Sequence, residues 1–137
     1  MAKKEEVAAF MAAEFPQNKC EILEVGNRAS TVRRVVSADD LRPGGTVAGP
    51  VLVAVADVAL YSAILAEIGI VPLAVTTSLT INFLRKPSAS QNLLGMCKLL
   101  KIGQSLAVGE VTVCSEGSAE PVAHVVGTYS IPPRRQL

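Results

Sequence analysis

Between Lys3 and Phe15 the apolar residues Val7, Phe10, Met11 and Phe15 fall on one side of a helical repeat, with Lys and Glu on the others. The spacing predicts an amphipathic helix over about 3–15, ended by Pro16. Two apolar-rich runs follow, KCEILEVG and STVRRVVS, around the sequence GNRAS. They predict two strands within Cys20 to Val36, with Asn27 after Gly26 making a tight turn. ADDLRPGGTV, from Ala38 to Val47, reads as a loop rich in Pro and Gly. The chain then becomes almost wholly apolar. Gly49-Pro50 suits a helix start, because Gly is tolerated at the cap and Pro in the first turn loses no needed hydrogen bond. This helix is expected over about 49–68, stopping at Gly69 with Pro72 beyond.

After it the period changes to two. In VTTSLTINFLRKP, Val75, Leu79, Ile81 and Phe83 alternate with Thr76, Ser78, Thr80 and Asn82, the pattern of a half-buried strand. NLLGMCKLLKIG, QSLAVGEVTVCSEG and EPVAHVVGTYSIP predict three long strands, with hairpin breaks at Gly103-Gln104 and Gly117-Ser118. PPRRQL, about 132–137, reads as a loose tail. A helix that is apolar nearly all round must be buried. A curved antiparallel sheet wrapped around one long central helix does that, an α+β layout. Ala54, Ala56, Ala59, Ala63 and Ala66 would let sheet and helix approach closely. The 137 residues suggest one domain spanning 1–137.

Composition narrows the function classes. Half the residues are apolar and there is no Trp, so the core must be aliphatic. Formal net charge is +1, which gives no global field for nucleic acid. The start, MAKKEEVAAFMAAEF, lacks the apolar run and cleavage site of a signal peptide. Cys20, Cys97 and Cys114 are odd in number and far apart, which suits buried thiols in a reducing cytoplasm. The apolar stretch is just long enough to cross a bilayer. Asp57 would then lie at mid-bilayer at a cost of about 2.5–3.5 kcal/mol, and no Lys or Arg cluster flanks it. No membrane association is expected.

A carboxylate in the most apolar segment needs a reason. A buried carboxylate must be paired, hydrogen-bonded or protonated, or it costs several kcal/mol. Ser62 or the Thr-rich strand could satisfy Asp57 structurally. A Gly-Pro helix start and a row of threonines nearby make it a candidate for chemistry instead. His124 is the only histidine, and with no CxxC it cannot anchor a metal, so no metal or other cofactor is expected. GTVAG and VGEV lack the Gly spacing and Lys of phosphate loops.

RPGGTVAGPVLVAVADVAL leading into TTSLTINFLRKP, in this order of elements, resembles the hotdog-fold acyl-CoA thioesterases, most closely the phenylacetate-degradation (PaaI-like) branch. The resemblance covers about Cys20 to Pro132. It implies a hotdog fold, homodimers that often pair into tetramers, and hydrolysis of acyl-coenzyme A without a metal. The family's helix acid falls on Asp57, and the glycine whose N–H polarises the thioester carbonyl falls on Gly49. A helper hydroxyl falls on Thr76 or Thr77. In the family's loop motif of Asn, Gly and His-Gly-Gly, Gly45 matches. Arg42 stands at the Asn position, and Ala48-Gly49-Pro50 replaces His-Gly-Gly.

On one helix Gly49 and Asp57 would lie roughly 12 Å apart at 1.5 Å per residue. One helix cannot readily put both on one carbonyl, but two antiparallel helices across a dimer axis can. Asp57 would act as general base or as nucleophile, with Thr76 or Thr77 positioning the water or the carboxylate. Arg42, Arg85 and Lys86 are candidate partners for the coenzyme A phosphates, and Asn82 is a further substrate-binding candidate. Arg134 and Arg135 read as tail charges, and Tyr61 as core. A non-catalytic acyl-CoA-binding or regulatory protein is the alternative. A hotdog dehydratase would want a catalytic His, and the one His lies in the wrong segment.

Overall fold

In the computed structural model, which describes residues 1–133, two α-helices each precede a run of four strands. Helix α1 (Lys4–Glu14) leads through a 3₁₀ turn to β1 (Cys20–Gly26) and β2 (Ala29–Arg34). A short hairpin, β3 (Leu41–Arg42) and β4 (Thr46–Val47), precedes helix α2 (Gly49–Ile68). The strands β5 (Val75–Phe83), β6 (Leu93–Ile102), β7 (Leu106–Ser115) and β8 (Pro121–Ser130) complete it. The six long strands form one antiparallel sheet in the order β1-β2-β6-β7-β8-β5. The sheet wraps around α2, as the apolar helix demands, which is the hotdog fold.

Close approach of helix to sheet rests on more than alanine. Leu60, with no exposed surface, lodges over Gly109 and Gly127, which face each other across β7 and β8. A Cβ at Gly127 would lie 2.5 Å from Leu60 Cδ1, and one at Gly109 2.7 Å from Cδ2. No real Cβ contact is that short, so the side chain of Leu60 fits only because both positions lack one. Among the described residues, α2 is the one helix long and apolar enough to cross a membrane, and 61% of its apolar window is buried inside the fold.

Several expectations need correction. The second strand ends at Arg34, not at Val36, because the Arg34 side chain turns inward to Asp40 at 2.7 Å and Val35 is left exposed. The expected loop of Ala38 to Val47 contains the β3–β4 hairpin. The strand after α2 is not half-buried: Val75 and Phe83 are 50% and 55% exposed, and only Leu79 and Ile81 are partly covered. Strand β5 lies at the sheet edge beside β8, where α2 covers little of it. Of the expected tail, residues 134–137, including both arginines, lie outside the described residues.

Candidate active site

Asp57 sits two turns into α2, partly buried, at a cavity of about 420 Å³. Its Oδ1 accepts two hydroxyls, Thr76 Oγ1 at 2.7 Å and the Tyr129 phenol at 2.7 Å. Thr76 and Tyr129 are a cross-strand pair of β5 and β8, so one rung of the sheet supplies both donors. A bulge between Thr76 and Ser78 selects which threonine serves. Thr77 spends its hydroxyl on the Thr128 carbonyl at 3.2 Å and does not reach Asp57. Ser62 Oγ is buried and has no partner among the described residues, so it does not satisfy Asp57 either. Oδ2 of Asp57 has no hydrogen bond among the described residues.

The chain has five aromatic residues, and four of them, Phe10, Phe15, Tyr61 and Tyr129, line this cavity. Tyr61 therefore does more than fill core. It stacks on Tyr129 with ring centroids 6.0 Å apart and donates to the Pro72 carbonyl at 3.0 Å. Burial, and next the Asp57 carboxylate, push the Tyr129 phenol far above its usual range, so it stays a neutral donor. Sequence reasoning missed Tyr129. The wall formed by Phe10 and Phe15 was visible only as the apolar side of an amphipathic helix.

Gly49 opens onto a different cavity, of about 410 Å³, with Arg42, Thr46, Phe83, Arg85 and Lys86. As the first helical residue its N–H has no intrahelical acceptor, and the helix dipole favours negative charge there. The Phe83 ring lies over it: a Cβ at Gly49 would sit 3.2 Å from the ring. Arg85 is already engaged, with Glu120 at 2.9 Å and the Pro121 carbonyl at 2.6 Å. Arg42 and Lys86 are exposed and have no ion-pair partner among the described residues. Gly45 closes the β3–β4 turn, donating to the Arg42 carbonyl at 3.0 Å, and lines neither cavity. Asn82 lies opposite His124 on β8 and also lines neither cavity.

The approach to Gly49 is pinned from below. Asp40 holds Arg34 at 2.7 Å and the Ser37 N–H at 2.9 Å, and its carbonyl accepts the Ala48 N–H at 2.8 Å. Burial alone would raise the Asp40 carboxyl. The Ser37 N–H and the Arg34 guanidinium, with the charge of Lys19, outweigh it and hold the carboxyl below the usual range.

Other reactive side chains lie elsewhere. His124 Nε2 faces Glu110 Oε2 at 3.1 Å, away from both cavities. Burial pushes the thiols of Cys20 and Cys97 up to about 11 and about 12, so they are protonated and unreactive. Among the described residues no three His, Cys, Asp or Glu side chains converge to hold a metal ion.

A carboxylate with one anchored and one free oxygen can take a proton from water or attack a carbonyl. A free helix N–H can receive the resulting negative charge. Comparison with known proteins points to thioester hydrolysis. A candidate thioesterase from Silicibacter sp. TM1040 is 44% identical, with 96% of this chain and 92% of that one covered and a TM-score of 0.88. A mutant of the phenylacetic acid degradation protein PaaI from Thermus thermophilus is 27% identical, covering 90% and 99%, with a TM-score of 0.74. Zebra fish thioesterase superfamily member 2, at 19% identity, covers 96% and 100% with a TM-score of 0.84 and shares the fold. No curated protein matches the chain in sequence. The thioesterase superfamily profile matches residues 44–122, which span both Gly49 and Asp57, and the chain belongs to that superfamily, as a hotdog-fold, PaaI-like thioester hydrolase.

Proposed function

We propose that the protein hydrolyses acyl-coenzyme A thioesters, with Asp57 as general base or nucleophile and the Gly49 N–H of a second subunit polarising the carbonyl. One observation carries the reading: Asp57 Oδ1 is anchored by Thr76 and Tyr129 while Oδ2 stays free beside an aromatic cavity. As a base, Oδ2 takes a proton from water while the water oxygen bonds to the thioester carbon. The carbonyl oxygen gains the negative charge and accepts from Gly49. Collapse breaks the C–S bond, and the thiolate leaves and takes up the proton. As a nucleophile, Oδ2 bonds to the carbon, the C–S bond breaks, and water then opens the mixed anhydride.

A dimer completes this site. Gly49 and Asp57 open into separate cavities of one chain. A two-fold axis that sets two α2 helices antiparallel would bring each Gly49 to the partner's Asp57. The open edge of β5, with Leu73, Val75, Phe83 and Leu84 exposed along it, supports self-association there. Pairing of dimers into a tetramer is a further expectation. Arg42 and Lys86 would meet the coenzyme A phosphates, with Arg85 joining if it leaves Glu120. The aromatic lining, and the naming of the Thermus thermophilus relative for phenylacetic acid degradation, favour an acyl group that carries a ring. The three free thiols fit a reducing cytoplasm.

A non-catalytic acyl-CoA-binding protein on the same scaffold is the second reading. It is favoured by Arg42, Ala48 and Pro50, which replace the family's Asn, His and second Gly. Thiol release from a panel of acyl-CoAs, phenylacetyl-CoA among them, separates the two. Turnover by the wild type that falls at least ~100-fold in Asp57→Asn, with the fold intact, supports hydrolysis. Binding of acyl-CoA with no turnover across the panel would favour the second reading. Equal turnover in both proteins would make Asp57 structural.

A further inference from the structure

We infer that Tyr129 is a positioning residue for Asp57: together with Thr76 it locks the carboxylate through Oδ1 and leaves Oδ2 as the one reacting oxygen. The inference rests on the thioesterase reading of the same site and adds a residue to it. Neither the periodicity nor the resemblance points to position 129.

An aspartate on a helix can turn about two bonds, and a single hydrogen bond at a partly open site leaves it free to swing. Here two donors at 2.7 Å converge on one oxygen. At that length an O–H group bonded to a carboxylate is a strong, charge-assisted donor. The Tyr129 phenol oxygen also lies 3.3 Å from the Asp57 backbone carbonyl, but its single proton favours the nearer, charged acceptor. The ring itself has little freedom. Tyr129 is 3% exposed, stacks on Tyr61 at 23° between ring planes, and Tyr61 is tied to Pro72. Pro72, Tyr61, Tyr129 and Asp57 thus form a chain of contacts from the loop after α2 back to its carboxylate. A buried hydroxyl spent on Oδ1 is poorly placed to reach a substrate, so its effect passes through Asp57.

Tyr129→Phe keeps the ring and removes the hydroxyl. The kcat and KM of thioester hydrolysis should be measured for the wild type, Tyr129→Phe, Thr76→Val and Asp57→Asn, with phenylacetyl-CoA and a straight-chain acyl-CoA. The expected result for Tyr129→Phe is a kcat lower by about 10- to 100-fold with KM changed less than about threefold. A fall in kcat with KM held is the mark of a misaligned carboxylate in a site that still binds. A purely structural role would leave kcat of the folded variant unchanged. Unchanged kcat in a folded Tyr129→Phe, with Asp57→Asn inactive, would overturn the inference and leave the thioesterase reading standing. Full activity in Asp57→Asn would overturn the reading and the inference with it. If Tyr129→Phe fails to fold, Thr76→Val decides the matter. It removes the other donor on Oδ1 at an exposed position, and an unchanged kcat there would refute anchoring through that oxygen.

Discussion

Gly49 and Asp57 lie on one helix, yet their surroundings differ in kind. Around Gly49, α2 meets exposed cations, a two-strand hairpin and one aromatic ring from the edge strand. Around Asp57 it meets four aromatic rings and a pair of hydroxyls supplied by one rung of the sheet. The first suits a polar, phosphorylated group and a developing oxyanion. The second suits an apolar acyl group and an attacking oxygen. On the proposed mechanism each holds half of what thioester hydrolysis requires, and the two lie on separate cavities of one chain. The difference teaches that a buried helix can carry two half-sites, if a second copy brings the missing half to each.

The largest expected effect falls on the Gly49 side. Asp40→Ala should cost about 3–5 kcal/mol of stability, because it strands the buried Arg34 guanidinium. Denaturant unfolding measures it, and the helix start should loosen while the Asp57 cavity keeps its shape. The same pair sets an acid limit. The depressed Asp40 carboxyl contributes stability that is fully present above its unfolded value, about 3.9, and is lost as pH falls through its lower folded value. Thermal melts should therefore show the wild type losing stability below about pH 4 more steeply than Asp40→Ala does.

Next is the fall of at least ~100-fold in turnover for Asp57→Asn, which should leave acyl-CoA binding largely in place. Gly127→Ala probes the packing of α2 on β7 and β8 just beyond Asp57, at Leu60. It puts a methyl 2.5 Å from Leu60 Cδ1 and should cost about 1–3 kcal/mol by overpacking. The smallest effect belongs to Lys86→Ala and Arg42→Ala. Each should raise KM for acyl-CoA by about fivefold, about 1 kcal/mol, with kcat unchanged and with the difference shrinking at high salt.

Much of this was legible in the residues, for stated physical reasons. Asp57 is the one charged residue between Pro50 and Glu67, so its role as an exception in a buried helix stood out. The switch of period at Val75 marked the change from helix to strand, and the long runs of β6, β7 and β8 were found close to their ends. What failed to show were facts of register and cover. Tyr129 lies 72 residues from Asp57 and Thr76 lies 19 away, and they meet it through one strand pairing. Which of Thr76 and Thr77 would serve depended on a bulge that alternation cannot reveal. The apolar positions of β5 predicted a strand correctly, but its place at the sheet edge left Val75 and Phe83 uncovered. The Arg34–Asp40 pair shortened β2 and braced a segment whose Pro and Gly marked it only as a loop.

The central claim is that each active site takes Gly49 from one chain and Asp57 from another. Mixed assemblies test it most directly. Gly49→Pro removes the N–H at a position in the first helical turn, where the backbone tolerates proline and the Phe83 ring, 3.2 Å from an added Cβ, must shift slightly; Asp57→Asn removes the base. Each variant alone should be inactive. Co-expressed with different tags and purified as the mixed dimer, they should recover about half the wild-type turnover per dimer, because one site then unites an intact Gly49 with an intact Asp57. Two folded variants that assemble together yet recover nothing would contradict a shared site.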